Sequence, residues 1–198
     1  HDATQHRLLL VRDHLGIKPL YYAQTPDAFV FGSEIKALLA SGRVPRRLNV
    51  DALPQFLAWE YIPAPSTLLT GVKKLEPGHR LELNTETGDV QRDQYWDIPL
   101  PANGAYDPTQ DGLDCWASPI QKHLDASVSA QMVSDVPLGA FLSGGVDSSL
   151  VVSAMGQAAR TFSIGFDDPT YNELPWAKRV AAHLQVDHQI DIVKPEVE

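Results

Sequence analysis

Residues 98–115, IPLPANGAYDPTQDGLDC, hold three prolines and two glycines and keep no period of 2 or 3.6, which is the composition of a connection. The pattern differs on its two sides, and this constrains the fold more than any other feature. Before it, short apolar runs at 8–11, 28–31, 79–83 and 90–96 are separated by turn residues, and 84–89, NTETGD, has the composition of a hairpin loop. Two short helices fall between these runs. One starts at Ser33 and runs to 39; the other is capped by Asn49 or Asp51 and ends near 59. This half predicts a β-rich unit with small helices.

After the connection, helix and strand signals alternate. Ile120, Leu124, Val128 and Met132 recur on one helical face, and 136–142 is a short apolar run ending in glycines, which predicts a buried strand. A helix over 148–159 has Leu150, Val151, Ala154 and Met155 available for one face. A strand at 161–166 leads through the turn at 167–169 to a helix marked by Leu174, Ala177, Ala181 and Leu184, with Asn172 as cap and Pro175 in its first turn. Residues 186–193 alternate like a half-buried strand. Such alternation predicts a parallel sheet with helices on its faces. The expected class is therefore α+β followed by α/β, with 1–100 as one domain, 101–115 as linker and 116–198 as the second domain.

At 43% hydrophobic and 21% charged residues, the chain has enough apolar material for a core. Its apolar runs fall far short of the ~18 residues of a membrane span. The start, HDATQHR, has neither an initiator Met nor the layout of a signal peptide, and reads as the interior of a domain. A single cysteine, Cys115, excludes a disulfide framework or a Cys-based zinc site and points to a reducing, cytoplasmic setting. The net charge of −9 is uneven: residues 1–100 carry 11 basic against 12 acidic side chains, and residues 101–198 carry 5 against 13. That balance argues against nucleic acid or an anionic membrane as partner, and an anion must be held by a local device.

The candidate device is Ser143-Gly144-Gly145-Val146-Asp147-Ser148-Ser149, between a predicted strand and a predicted helix. Glycines let the backbone turn tightly and approach a ligand, and the amides of the turn and helix start form an anion cradle. Ser143, Ser148 and Ser149 offer hydroxyl donors. Asp147 would repel a phosphate unless a cation intervened, so the pattern predicts Mg²⁺ between carboxylate and phosphate. The loop has no Walker A lysine, which argues against ordinary γ-phosphate transfer.

SGGVDSS after a strand resembles the PP-loop of the ATP-pyrophosphatase superfamily, and PLGAFLSGGVDSS resembles the synthetase domain of glutamine-hydrolysing asparagine synthetases. VRDHLGIKPLYY at 11–22 and GSEIKAL at 32–38 are similar to segments of the class II glutamine amidotransferase domain, as are YIPAP at 61–65 and the stretch from Pro77 to Trp96. The resemblance covers about 7–97 and 116–198 in the family's own order. It implies the C-terminal part of an Ntn-type glutaminase domain followed by the start of a PP-loop domain. It implies an ATP-dependent, AMP-forming ligase that adenylates aspartate and lets glutamine-derived ammonia displace AMP to give asparagine. Carried onto this chain, Ser143, Gly144, Gly145, Ser148 and Ser149 bind the pyrophosphate portion of ATP, Asp147 binds Mg²⁺, and backbone groups of Leu142 and Ile164 hold adenosine. A homodimer of the full-length parent is an assembly that the resemblance allows.

The family's N-terminal Cys nucleophile and Asn-Gly oxyanion hole do not precede His1, and its catalytic Lys and Glu would lie beyond Glu198. The expectation is an internal segment without complete catalysis and with no confident catalytic residue of its own. Related readings keep the architecture but change the acceptor to another carboxylate, such as an exopolysaccharide sugar acid, or leave a non-catalytic nucleotide-binding remnant. Arg12-Asp13 reads as a structural ion pair fixing a turn or the domain interface. Glu34 reads as a first-turn residue complementing the helix dipole. Asp167 and Asp168 read as turn residues or as ligands of ribose or metal. His183 and His188 read as ordinary surface or packing residues, and the seven histidines show no metal-ligand spacing.

Overall fold

The computed structural model describes residues 1–100, 112–170 and 172–194. The chain divides into two compact units, His1–Leu100 and Pro101–Glu198.

In the first unit six strands, β1 (Arg7–Val11), β2 (Tyr21–Thr25), β3 (Ala28–Gly32), β4 (Val72–Lys74), β5 (His79–Asn84) and β6 (Val90–Gln94), form two antiparallel sheets ordered β1-β5-β6 and β3-β2-β4. Leu10, Leu81 and Leu83 from the first sheet pack with Tyr22 of the second and with Leu75. Arg92 Nη1 donates to the Tyr22 hydroxyl at 3.1 Å, and burial raises the pKa of that phenol. Strands β2 and β4 are not expected from residue pattern. Consecutive burial of Tyr22 and Ala23 breaks the period of two in β2, and β4 is three residues long with two lysines.

Helix α1 (Ile35–Ala40) seats Leu38, fully buried, against Ala23, Val44 and Val72. Glu34 is its N-cap, not a first-turn residue; its side chain makes no cap bond and instead pairs with exposed Lys36 at 2.9 Å. A 3₁₀ turn, Val50–Ala52, leads into α2 (Leu53–Trp59). Asn49 stands at the start of that turn, yet its side chain donates to Thr67 O at 3.0 Å. Arg12 and Asp13 are structural, though not as an ion pair. The Arg12 guanidinium donates to the carbonyls of Leu75, Gly16 and Lys18 at 2.6, 2.8 and 3.1 Å. The Asp13 carboxylate accepts the amides of Ile17 and Lys18 at 2.8 and 3.0 Å, and these bonds, Lys18 first, lower its pKa.

In the second unit α3 (Leu113–Gln131), β7 (Gly139–Phe141), α4 (Val146–Met155), β8 (Arg160–Phe166), α5 (Leu174–Leu184) and β9 (Asp187–Val193) follow in turn, and the strands form a parallel sheet ordered β7-β8-β9. Because α3 starts at Leu113, Cys115 sits exposed on a helix and not in a linker; 101–111 lie outside the described residues. Along the expected face of α3, Val128 is buried and Ile120 is exposed. The strand expected over 136–142 is only three residues long; Phe141 is 77% exposed, and Leu142 just beyond is buried. Helix α4 buries Val152, while the expected Leu150 and Val151 are exposed.

Strand β8 carries the reason for much of this. Thr161, Ser163 and Gly165 face inward and are buried, whereas Phe162, Ile164 and Phe166 are exposed on the opposite side. Small inward residues let the helices approach the sheet, and each hydroxyl is satisfied by a neighbouring strand or loop carbonyl: Thr161 Oγ1 donates to Asp187 O at 2.8 Å and Ser163 Oγ donates to Leu142 O. A Cβ on Gly165 would stand 2.2 Å from Leu174 Cδ1. Leu174 is itself 5% exposed, and its amide is held by Asn172 Oδ1 at 3.1 Å, although Glu173 is the geometric N-cap of α5.

His188 on β9 hydrogen-bonds Thr161 Oγ1 through Nδ1 at 2.9 Å. Since the threonine proton goes to Asp187 O, Nδ1–H is the donor, which leaves Nε2 as a buried atom without a partner among the described residues. Burial, then the charge of Lys178, lowers the His188 pKa, with Asp187 opposing.

Two predictions follow from this packing. Gly165→Ala forces Leu174 off its seat and lowers stability by about 1–3 kcal/mol; an unchanged urea midpoint for the α/β unit would show that the contact yields freely. The unfolded chain takes up the His188 proton before the folded one, so stability falls as pH drops below about 6.5. Melts at pH 7.5 and 5.5 should show that loss, and His188→Gln should show less of it; equal losses in both proteins would contradict the assignment.

Candidate nucleotide-binding site

The loop 142–145 links β7 to α4 on the C-terminal side of a parallel sheet, where open α/β sheets bind ligands. Gly144 has φ +84°, and a Cβ there would lie 2.5 Å from Ala177 N and from the Trp176 carbonyl carbon. Glycine is required at this position because the first turns of α5 press against it. Gly145 differs: it is the N-cap of α4, and a Cβ would meet only Ser143 Oγ, at 3.3 Å. Open ligand approach is therefore a property of Gly145, and close helix packing a property of Gly144.

The three hydroxyls expected to face a phosphate are turned inward. Ser149 Oγ donates to Gly145 O at 2.6 Å, and Ser148 Oγ donates to the same carbonyl at 3.2 Å. Ser148 Oγ also accepts the Ser143 amide at 3.3 Å and lies 2.9 Å from Ser143 Oγ, which in turn accepts the Gly145 amide at 3.2 Å. With the Ser148 proton on Gly145 O, Ser143 is the donor in the hydroxyl pair. The serines staple the loop. The groups left for an anion are the amides of Val146, Asp147 and Ser148, which have no carbonyl one turn earlier in the helix to accept them.

Asp147 lies exposed in the first turn of α4. Among the described residues no group of three or more His, Cys, Asp or Glu is arranged to hold a metal. One carboxylate beside an anion cradle suits Mg²⁺, which is bound through one or two carboxylates plus phosphate oxygens and water, so the residues present fit a Mg²⁺–phosphate ligand. His183 lies in the last turn of α5 and His188 is the packed ring described above. Asp168 Oδ1 accepts the Thr170 amide of its own turn at 2.8 Å, and Asp167 pairs with Lys194, just after β9, at 3.4 Å.

Beside the loop, a cleft of about 160 Å³ runs between the ends of β7 and β8 and the start of α5, lined in part by Leu142, Ser143, Ile164 and Glu173. Leu142 reaches it mainly as packing: its side chain is 1% exposed, its amide donates to Phe162 O at 2.9 Å and its carbonyl accepts Ser163 Oγ. Phe162 O points toward β7, and alternation along β8 turns the backbone of Ile164 to the same side, beyond the end of β7. Glu173 and Trp176 were not singled out in the sequence, and Ala177 was read only as part of a helix face; only the docking of α5 on Gly144 brings them to the loop.

The loop, its helix and the strand-end cleft fit a domain for which sequence comparison gives a family. The chain matches the asparagine synthase family over residues 119–197 and the glutamine amidotransferase domain family over residues 1–96. It is 36% identical to asparagine synthetase [glutamine-hydrolyzing] 1 of Bacillus subtilis, over 98% of this chain and 30% of that protein. The chain belongs to the glutamine-hydrolysing asparagine synthetase family. A putative asparagine synthetase [glutamine-hydrolyzing] 2 of Methanocaldococcus jannaschii is 35% identical over 94% of this chain and 36% of its own length, and the amidase chry2 of Gibberella zeae is 29% identical over all of this chain and 31% of its own. The chain thus spans about a third of the length of these relatives. Two of these relatives are named as glutamine-hydrolysing synthetases and one as an amidase, and the two family matches fall one in each unit. No helix among the described residues is long and apolar enough to cross a membrane.

Ser148→Ala removes the acceptor of the Ser143 amide and one donor to Gly145 O. It should lower stability by about 1 kcal/mol and speed hydrogen exchange at the Ser143 amide; wild-type protection there would show that Ser148 does not staple the loop.

Proposed function

We propose that this chain carries the nucleotide-binding loop of an ATP-dependent, AMP-forming amide ligase that makes asparagine from aspartate and glutamine-derived ammonia. The observation that supports it most is the strand–SGGVDSS–helix unit, in a chain with amidotransferase and synthase matches in that order. In this reading residues 1–100 are the C-terminal part of an Ntn-type glutaminase domain, and residues 116–198 begin a PP-loop domain. The free Cys115 suits a cytoplasmic setting.

The chain's own groups serve the first half-reaction. An aspartate carboxylate oxygen bonds to the α-phosphorus of ATP while the bond to the β-phosphate bridge breaks, so charge develops on departing pyrophosphate. The amides of Val146, Asp147 and Ser148 and the positive end of α4 are fixed before the reaction and stabilise that charge without reorganisation. Gly145 lets the phosphates come close to the backbone. Ser143, Ser148 and Ser149 keep the amides aligned by tying the loop to Gly145 O. The Asp147 carboxylate is the residue that would hold Mg²⁺, and a bound ion would supply charge neutralising the departing pyrophosphate. Leu142 and the Ile164 backbone border the adenosine.

The full-length protein given aspartate, glutamine and ATP should form AMP and pyrophosphate; ADP as the nucleotide product would sink the proposal. Asp147→Ala should weaken Mg·ATP binding at least ~10-fold and leave Mg-free ATP binding little changed. Equal affinities with and without the carboxylate would remove its metal role.

A further inference from the structure

The strand-end cleft contains one group that the pyrophosphate and Mg²⁺ roles leave unused. Glu173 lines it together with Ser143, Ser163 and Ile164, and the remaining lining is mostly apolar. The other side-chain polar groups are already engaged: Ser163 Oγ donates to Leu142 O and is buried, and Ser143 Oγ is held by Ser148 and the Gly145 amide. Among the described residues, the Glu173 side chain has no hydrogen bond or ion pair.

Its backbone is held on two sides. Leu174 is wedged on Gly165, where a Cβ would stand 2.2 Å from Leu174 Cδ1. Trp176 and Ala177 abut Gly144, and their amides donate to Glu173 O at 3.0 and 3.1 Å. The residue is thus keyed to both the phosphate loop and the strand end. A carboxylate accepts hydrogen bonds and donates none, so it repels phosphate and complements hydroxyl donors. Two carboxylate oxygens match a vicinal diol.

We infer that Glu173 accepts the ribose hydroxyls of the nucleotide and so selects ribonucleotide over deoxyribonucleotide. The inference rests on the nucleotide-binding reading above and adds a specificity determinant to it. With phosphates at the α4 amides and the sugar at Glu173, the nucleotide spans from the loop to the start of α5, and the aromatic and aliphatic lining is left for the base.

The test compares binding of ATP, 2′-deoxy-ATP, 3′-deoxy-ATP, ITP and pyrophosphate to the full-length protein and to its Glu173→Ala and Glu173→Gln variants. Glu173 is exposed and its side chain has no internal partner, so neither substitution removes packing. The wild type should bind ATP about tenfold more tightly than at least one deoxy form, the strength of a charged hydrogen bond. Glu173→Ala should lose that preference, Glu173→Gln should keep part of it, and pyrophosphate affinity should stay unchanged in both. Wild-type binding of ATP without discrimination against either deoxy form would overturn the inference and leave the nucleotide reading standing. A fall in pyrophosphate affinity with Glu173→Ala would also overturn it, by moving the residue to the phosphate or metal. Discrimination against ITP alone would overturn it in favour of contact with the base amine. Failure of the wild type to bind any of these nucleotides would overturn the nucleotide reading itself.

Discussion

The second unit depends on how closely the first turns of α5 approach two glycines. Gly165 accommodates Leu174 and Gly144 accommodates Trp176 and Ala177, each at distances that a single added carbon would close. One helix end therefore fixes the end of β8 and the loop after β7 together. The core behind this contact is built from small residues, Ala159, Ala177 and Ala181, around Leu142 and Val152. Close backbone approach and small side chains are two aspects of the same packing: the helix can lie near the sheet only where nothing projects between them.

The same contact shapes the candidate site. Because α5 presses on Gly144, the loop turns sharply into α4 and leaves Gly145 open. The serine hydroxyls satisfy the loop's own polar groups, so the amides at the start of α4 are held in place before any ligand arrives. Preorganisation of this kind is what makes a fixed dipole effective against developing charge. In the first unit Arg12 has an analogous structural role, since its guanidinium ties the carbonyls of nearby Gly16 and Lys18 to that of distant Leu75. A planar fork with several donors can do this, whereas a single ammonium group is a point charge.

Much of the framework was legible in the sequence. The strands at β1, β3, β5 and β6, the helix at α5 and the strand–loop–helix around SGGVDSS follow from apolar period and turn composition. Strands β2 and β4 were not legible: one buries neighbouring residues and the other carries two lysines, so neither shows alternation. The buried face of α4 was legible only in part: Met155 packs on the core as expected, but Val152 is buried and Leu150 and Val151 are not, because the helix's apolar residues fall all round it and leave no stripe to read. Strand β8 reverses the usual expectation, with Thr161 and Ser163 inside and Phe162 and Ile164 exposed. Hydroxyls are tolerated inside because carbonyls of Asp187 and Leu142 accept them.

The sequence by itself determined the alternation of elements, the glycine-rich turn between a strand and a helix, and the family to which that turn belongs, because these depend on local residue type and spacing. Only the tertiary structure decided that the serines of the loop point inward, that Gly144 is a packing glycine and Gly145 an open one, and that Glu173 stands at the strand-end cleft. Those facts depend on which atoms compete for each hydrogen bond and each small volume. The competitors, Gly145 O, Trp176, Ala177 and Leu174, reach the site through the chain's return in α5 or through the backbone's own folding, which no local pattern records.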